Sequence, residues 1–280
     1  MMRARKEAIV TSAGRHLALL GFVFWALALP LRAADGVLIV ERTTVGDSAR
    51  TSQIRIEPER MRVEIPGAGG GSQVVIFDGT KQVMWVLDES RKTYTEMTRA
   101  DVDRMAGQMS EMMAKMQEQL KSLPPAQRAQ IEAMMKGRGL QEMPGAGAAP
   151  RTEYRRTGTD RVGEWTCVAY DGFQNDDKVS ELCTVDPEDL GFTPADFAVS
   201  RQLAEFFSSL LPQNADSLFR IGTPDEQGFS GVPVRRVGAA GPQQVTTEVV
   251  EVSRQTFSDD LFVVPAGFER QTMPFGPSGP

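Results

Sequence analysis

Two cysteines, Cys167 and Cys183, a single histidine, His16, and a run of methionines from Met105 to Met116 are the residues whose chemistry needs weighing first. His16 lies within residues 1–34, which read as a removable leader, so the mature chain is expected to have no imidazole. That excludes Ser-His-Asp and Cys-His nucleophiles, imidazole general bases and histidine-built zinc or iron sites. Cys-x-x-Cys, Ser-x-x-Lys and a Gly-rich loop ending in Gly-Lys-Ser/Thr do not occur either. Carboxylates remain. Glu57 with Glu59, and Asp259 with Asp260, have the residue types of an acid–base pair, but they fall at turns between strands and read as solvated surface. No catalytic residue, metal ligand or cofactor is expected.

The cysteines are spaced for a bridge. A hairpin centred on Asn175 places Cys167 directly opposite Cys183, with β-carbons about 4.5–5.5 Å apart. A disulfide prefers somewhat closer β-carbons, which the tighter non-hydrogen-bonded pairing or local twist supplies. The alternative is a pair of reduced, buried thiols. Met105, Met109, Met112 and Met116, continued by Leu120 and Leu123, recur at spacings of three and four, one stripe of an amphipathic helix. Such a stripe suits ordinary core packing, a mobile apolar lid or, with soft sulfur ligands, a thioether copper(I) site, although no Cys or His accompanies it. Trp85 and Trp165 are the large aromatics, one of which would line a cavity; core or interface packing is their ordinary role.

The elements that must position these residues follow from local periodicity. Val37–Val45 and Ser52–Glu57, split by Gly46-Asp47-Ser48, read as a hairpin. Ile54, Ile56, Met61, Val63 and Ile65 alternate with Arg55, Arg62 and Glu64, which predicts one buried and one wet face. The glycines at 67 and 69–71 precede a strand rather than a helix, so they read as a hairpin loop and not a dinucleotide fingerprint. Val74–Phe77, Val83–Leu87 and Thr93–Met97 form a three-stranded meander. A helix runs from Arg99 to about Lys121, stopped by Pro124-Pro125, then a second from Ala126 to Lys136 and a linker from Pro144 to Pro150. Strands return at Arg151–Arg156, Glu164–Phe173 and Lys178–Val185. Thr193-Pro194-Ala195-Asp196 opens a helix with Val199, Leu203, Phe206 and Leu210 in one stripe, widened by Phe207 and Leu211 and stopped by Pro212. Val232–Val237, Val245–Thr256 and Leu261–Val264 are expected to close the sheet.

Arg3, Arg5, Lys6 and Arg15, the apolar run Leu17–Leu29, Pro30 and Ala33-Ala34 together read as a secretory signal peptide, with an uncleaved anchor as the alternative. The run is shorter than the roughly 20 residues that cross a bilayer, and no later segment reaches that length. Asp35, Gly36 and Val37 offer no lipid-anchor cysteine. Removing residues 1–34 takes five from the 31 basic residues and one from the 37 acidic ones, a net charge of about −10. No nucleic-acid partner fits that balance.

Ile76-Phe77-Asp78-Gly79, Met84-Trp85-Val86-Leu87-Asp88 and Lys92-Thr93-Tyr94 resemble the early strands of periplasmic lipoprotein-carrier-like domains. Joined to Gly158, Val162-Gly163-Glu164-Trp165-Thr166-Cys167, Leu182-Cys183-Thr184 and Phe262-Val263-Val264-Pro265-Ala266-Gly267-Phe268, they resemble the secreted bacterial family known as domain of unknown function 4412. The resemblance spans most of residues 37–270 and is best outside the Met-rich insertion. It implies an α+β fold: an antiparallel sheet curled into a half-barrel, with helices over its concave face, as in the LolA and LolB carriers. Fold likeness does not transfer function.

The expected organisation is a signal peptide at 1–34, one half-barrel-like domain at 35–270 with a Met-rich helical insertion and linker at 98–150, and a disordered tail at 271–280. The expected role is that of an exported, non-catalytic binding protein in the periplasm or another extracytoplasmic space. It would hold a lipid or the acyl chain of a lipoprotein in an apolar groove near Met105, Met109, Met112, Met116, Trp85 and Trp165. The alternative is a structural or interaction protein of the envelope whose groove is filled by its own helices. The oligomeric state is left open.

Overall fold

A computed structural model describes residues 35–67, 71–122, 124, 127, 152–210, 228–240 and 243–272, all within the compact unit Arg32–Pro280. The expected signal peptide, the second helix at 126–136 apart from Gln127, the linker at 144–150 and all but the first two residues of the tail lie outside them, as do Leu123, Leu211 and Pro212.

Twelve strands form one open, curled sheet. The first six, β1 (Asp35–Val45), β2 (Ser48–Ile56), β3 (Arg60–Pro66), β4 (Ser72–Asp78), β5 (Val83–Asp88) and β6 (Thr93–Thr98), pair in sequence order. A second consecutive run comprises β7 (Glu153–Val162), β8 (Trp165–Gln174), β9 (Asp177–Val185), β10 (Val232–Ala240) and β11 (Gln243–Thr256). The antiparallel pairing of β1 with β11 joins the two runs. Helix α1 (Arg99–Ser122) follows β6, and α2 (Ala198–Phe207) lies between β9 and β10. The expected antiparallel sheet needs one correction: β12 (Glu269–Gln271) is parallel to β6. The expected strand at Leu261–Val264 is instead a 3-10 turn, Asp259–Phe262, with the following residues unpaired. Its apolar side chains are used in packing.

Side-chain alternation sends each strand's residues to two cores. Val37 and Ile39 enter one with Ile56, Phe77, Val185, Val234 and the α2 stripe Val199, Leu203 and Phe206. Phe206 meets Phe77 edge-on at 5.3 Å. Leu38 enters the other with Val74, Ile76 and Leu87, capped by Phe257 and Phe262, with Leu261, Val264 and Phe268 packed beside them. The face of β3 read as wet is therefore buried at Arg62, which is 7% exposed. Its guanidinium donates to the Leu261 carbonyl at 2.9 Å and to Glu64 at 2.7 Å.

Helix α1 joins the Val37–Phe206 core through its first turn. It starts on a capping box in which Asp101 accepts from the Thr98 N–H and hydroxyl, and Thr98 Oγ1 accepts from the Asp101 N–H. Val102 is fully buried, and Asp103 accepts from Ser209 at 2.7 Å. Beyond this first turn the helix buries no described side chain fully.

The β8–β9 hairpin corrects the expected register. Asn175 and Asp176 both have positive φ, 51° and 67°, as a two-residue type I′ turn requires. A bulge then inserts Val179, so Phe173 faces Lys178 but Gly172 faces Ser180, and Cys183 faces Ala169. Cys167 reaches Cys183 diagonally, with Cα atoms 5.4 Å apart, and the disulfide forms.

The entry to α2 is tied to β11 through Asp196, whose side chain is 4% exposed. It accepts from the Thr193 N–H at 2.6 Å and from Arg254 Nη2 at 2.5 Å. Burial pushes the carboxyl up, but the bonds from Arg254 and Thr193 outweigh it and its pKa is lowered.

Each of these links can be broken on its own. Replacing Cys167 and Cys183 with Ala should lower unfolding stability by about 3 kcal/mol, read from urea titrations of the variant against the oxidised chain. The Asp196 link is present above the ordinary carboxylate range and is lost as pH falls through its lowered folded pKa, because the unfolded chain binds the proton first. Asp196→Asn should therefore cost about 1–2 kcal/mol at pH 7, and the deficit should vanish in strong acid.

Candidate functional site

The residues nominated by the sequence do not gather in one place. Trp85 packs with the Leu38–Ile76 core and donates its indole N–H to Glu96 at 3.0 Å. Trp165 packs with the opposite core, beside the disulfide. One groove therefore does not contain both. Along α1, Met105, Met109 and Met116 are half-buried, and Met112 is 66% exposed.

The carboxylates read as turn surface behave differently. Glu57 is 2% exposed, a correction to the solvated reading of the Glu57/Glu59 pair. The β2–β3 turn folds back through Glu57 N–H to the Arg60 carbonyl at 2.8 Å. The β4–β5 turn docks beside it, with Gly79 N–H donating to the Glu59 carbonyl at 2.8 Å. Gly79 also lets α2 pack close against this turn, since a β-carbon there would lie 1.7 Å from Gln202 Oε1. Asp78 pins its own turn, accepting from the Lys81 N–H at 2.8 Å and from Lys81 Nζ at 2.7 Å. Asp259 completes the rim from the C-terminal 3-10 turn. Between these parts lies an open cleft of about 570 Å³.

Arg60 organises the cleft. Its Nε and Nη2 both donate to Glu57 Oε2, at 2.8 and 2.6 Å, and Nη2 also reaches Asp259 Oδ1 at 2.7 Å. The guanidinium stacks 4.6 Å above the Phe262 ring. Burial pushes the Glu57 carboxyl above its ordinary range, against the bond and charge of Arg60. Glu57 Oε1 has no hydrogen-bond partner among the described residues. Among these residues no group of three or more carboxylates, cysteines or histidines is placed to hold a metal ion. The arrangement can recognise a polar ligand by charge and hydrogen bonding. The sequence marks the turn through Glu57-Pro58-Glu59-Arg60, but nothing local marks the distant Asp259 and Phe262 that make it a site.

Comparison with known proteins gives a family and a set of distant folds. Similar solved structures include an uncharacterized conserved protein from Thermus thermophilus, at 10% identity and a TM-score of 0.42, covering 86% of this chain and 91% of that one. PNGF-II is similar at 9% identity and a TM-score of 0.33, covering 85% of this chain and 30% of that one. MucB, solved in complex with MucA(peri), is similar at 11% identity and a TM-score of 0.36, covering 85% of this chain and 57% of that one. No curated protein matches the sequence. The family described as "Domain of unknown function (DUF4412)" matches residues 97–268. The chain belongs to the DUF4412 family.

Proposed function

We propose that the protein acts outside the cytoplasm as a non-catalytic interaction protein of the cell envelope, with the apolar centres of its sheet filled by its own chain. The packing of both faces carries the reading. Val199, Leu203 and Phe206 occupy one face, and Phe257, Leu261 and Phe262 the other. An acyl chain entering either core would have to displace buried side chains, Phe206 and Phe262 among them, that are 0% and 1% exposed. Such cores are close-packed, and opening one costs several kcal/mol, on the order of a Phe→Ala cavity.

The Cys167–Cys183 disulfide supports the compartment, since such bridges persist where thiols are not kept reduced. The signal-like character of residues 1–34 points the same way. The outer half of α1 is the surface such a role would use. Methionine there is unbranched and polarizable, and adapts to differently shaped partners.

The carrier reading, in which a lipid or a lipoprotein acyl chain lies along Met105, Met109, Met112 and Met116, predicts a different outcome in one experiment. Native mass spectrometry of protein purified from the envelope should give a chain beginning near Asp35, two hydrogens lighter than its reduced form, with no lipid adduct. A fluorescent fatty acid should not become buried on mixing. A stoichiometric lipid adduct, or probe uptake lost in Met112→Asp, would replace the interaction reading with the carrier one.

A further inference from the structure

The cleft bounded by the β2–β3 turn, the β4–β5 turn and Asp259 contains a carboxylate whose position the packing alone does not account for. Glu57 is 2% exposed, its Oε2 receives both bonds from Arg60, and its Oε1 has no partner among the described residues. A buried acceptor without a donor costs on the order of 1–3 kcal/mol, more when charged, so a group that supplied the donor would be held by that amount. Burial also raises the pKa of Glu57, against the bond and charge of Arg60.

The rest of the lining sets the sign of what fits. Glu57, Glu59, Asp78 and Asp259 face the two cations Arg60 and Lys81. Arg60 is engaged by Glu57 and Asp259, and Lys81 by Asp78. Glu57 Oε1, the Glu59 carboxylate and the second oxygen of Asp259 are in excess, and the local charge is negative. An anion is repelled. A bare metal ion is disfavoured too, because no three carboxylates among the described residues converge on one point. The volume of about 570 Å³ lies within the range of small organic ligands, roughly 300–1,000 Å³.

We propose that this cleft binds an aliphatic ammonium group, which donates to Glu57 and is held in the field of Glu59 and Asp259. The same chemistry is offered by a free polyamine and by a lysine side chain. The proposal is independent of the interaction reading above, because the cleft is separate from the outer half of α1.

The test uses the oxidised mature chain, labelled with ¹⁵N and titrated in physiological salt with spermidine in one arm and Nα-acetyl-lysine methylamide in the other. Calcium chloride and sodium phosphate serve as comparison probes. The expected result is saturable shifts of the Glu59, Gly79, Thr80 and Lys81 amides with an amine, and none of comparable size with calcium or phosphate. The arm that saturates at lower concentration identifies the source. Glu57→Gln and the more exposed Asp259→Asn should each weaken binding about tenfold, equivalent to about 1.4 kcal/mol. Glu111→Gln on α1 should leave it unchanged. Thermal melts of each variant separate lost binding from lost folding. The proposal fails if neither amine saturates by about 10 mM, a concentration already far into weak binding. It also fails if calcium produces the same shifts, if folded Glu57→Gln and Asp259→Asn bind as the parent does, or if a crystal soaked in the amine shows only an ordered water on Glu57 Oε1.

Discussion

Strand β1 is buried from both sides, and most of the molecule is arranged to keep it so. Val37 and Ile39 point into one core and Leu38 into the other, while the backbone of the same strand pairs with β2 on one edge and β11 on the other. A strand with apolar residues on both faces must have a layer on each. Helix α2 supplies one layer, and the segment from Phe257 to Phe268 supplies the other. Both layers belong to the second half of the chain, whereas β1 opens the first. The first half therefore does not bury its own apolar surface without the second, and the two runs of strands share their cores rather than standing as two meanders side by side.

What could be read from the sequence was what local periodicity encodes. The β1–β2 hairpin, the β4–β5–β6 meander and the Val199–Leu203–Phe206 stripe are each written within one short contiguous stretch of chain, and each forms. The disulfide was legible from spacing and compartment, but its geometry was not, because the bulge at Val179 moves the register, and the glycine at the shift, Gly172, does not say which strand carries the extra residue. β12 carries only Glu269, Arg270 and Gln271, with no alternation to detect. It pairs because Glu269 N–H reaches the Lys92 carbonyl at 2.9 Å and Arg270 reaches Glu96 at 3.0 Å. The α1 stripe was visible as a helix, yet amphipathicity alone does not say what lies against it. Its residues Met105–Met116 turn out to be half-buried or exposed.

The candidate cleft was the least legible part for the same reason in stronger form. Glu57, Arg60 and Arg62 look like the polar half of an alternating strand and its turn. Their burial comes from Asp259, Leu261 and Phe262, about 200 positions later. Arg60 and Arg62 lie two residues apart on β3 and so share a face. Together they hold the 3-10 turn by its side chain, its ring and its backbone carbonyl. The cleft exists only because that turn is seated.

This dependence bears on where function resides in the family. The matched segment, residues 97–268, contains α1, α2, the disulfide and the turn that bears Asp259, but none of β1–β5. Glu57, Arg60, Asp78 and Lys81 stand outside it, in the β2–β3 and β4–β5 turns and at the strand ends beside them. A buried carboxylate with one free oxygen is costly to keep unless something offsets it, and a glutamine of nearly the same shape would remove the desolvation of the charge at that position. The shared half thus brings both layers and the Asp259 rim of the cleft, while the half outside the match brings the remaining charges that define its chemistry. A family member with the same second half and a different β2–β3 turn would keep the fold's two cores and lose the Glu57 and Arg60 charges of the cleft.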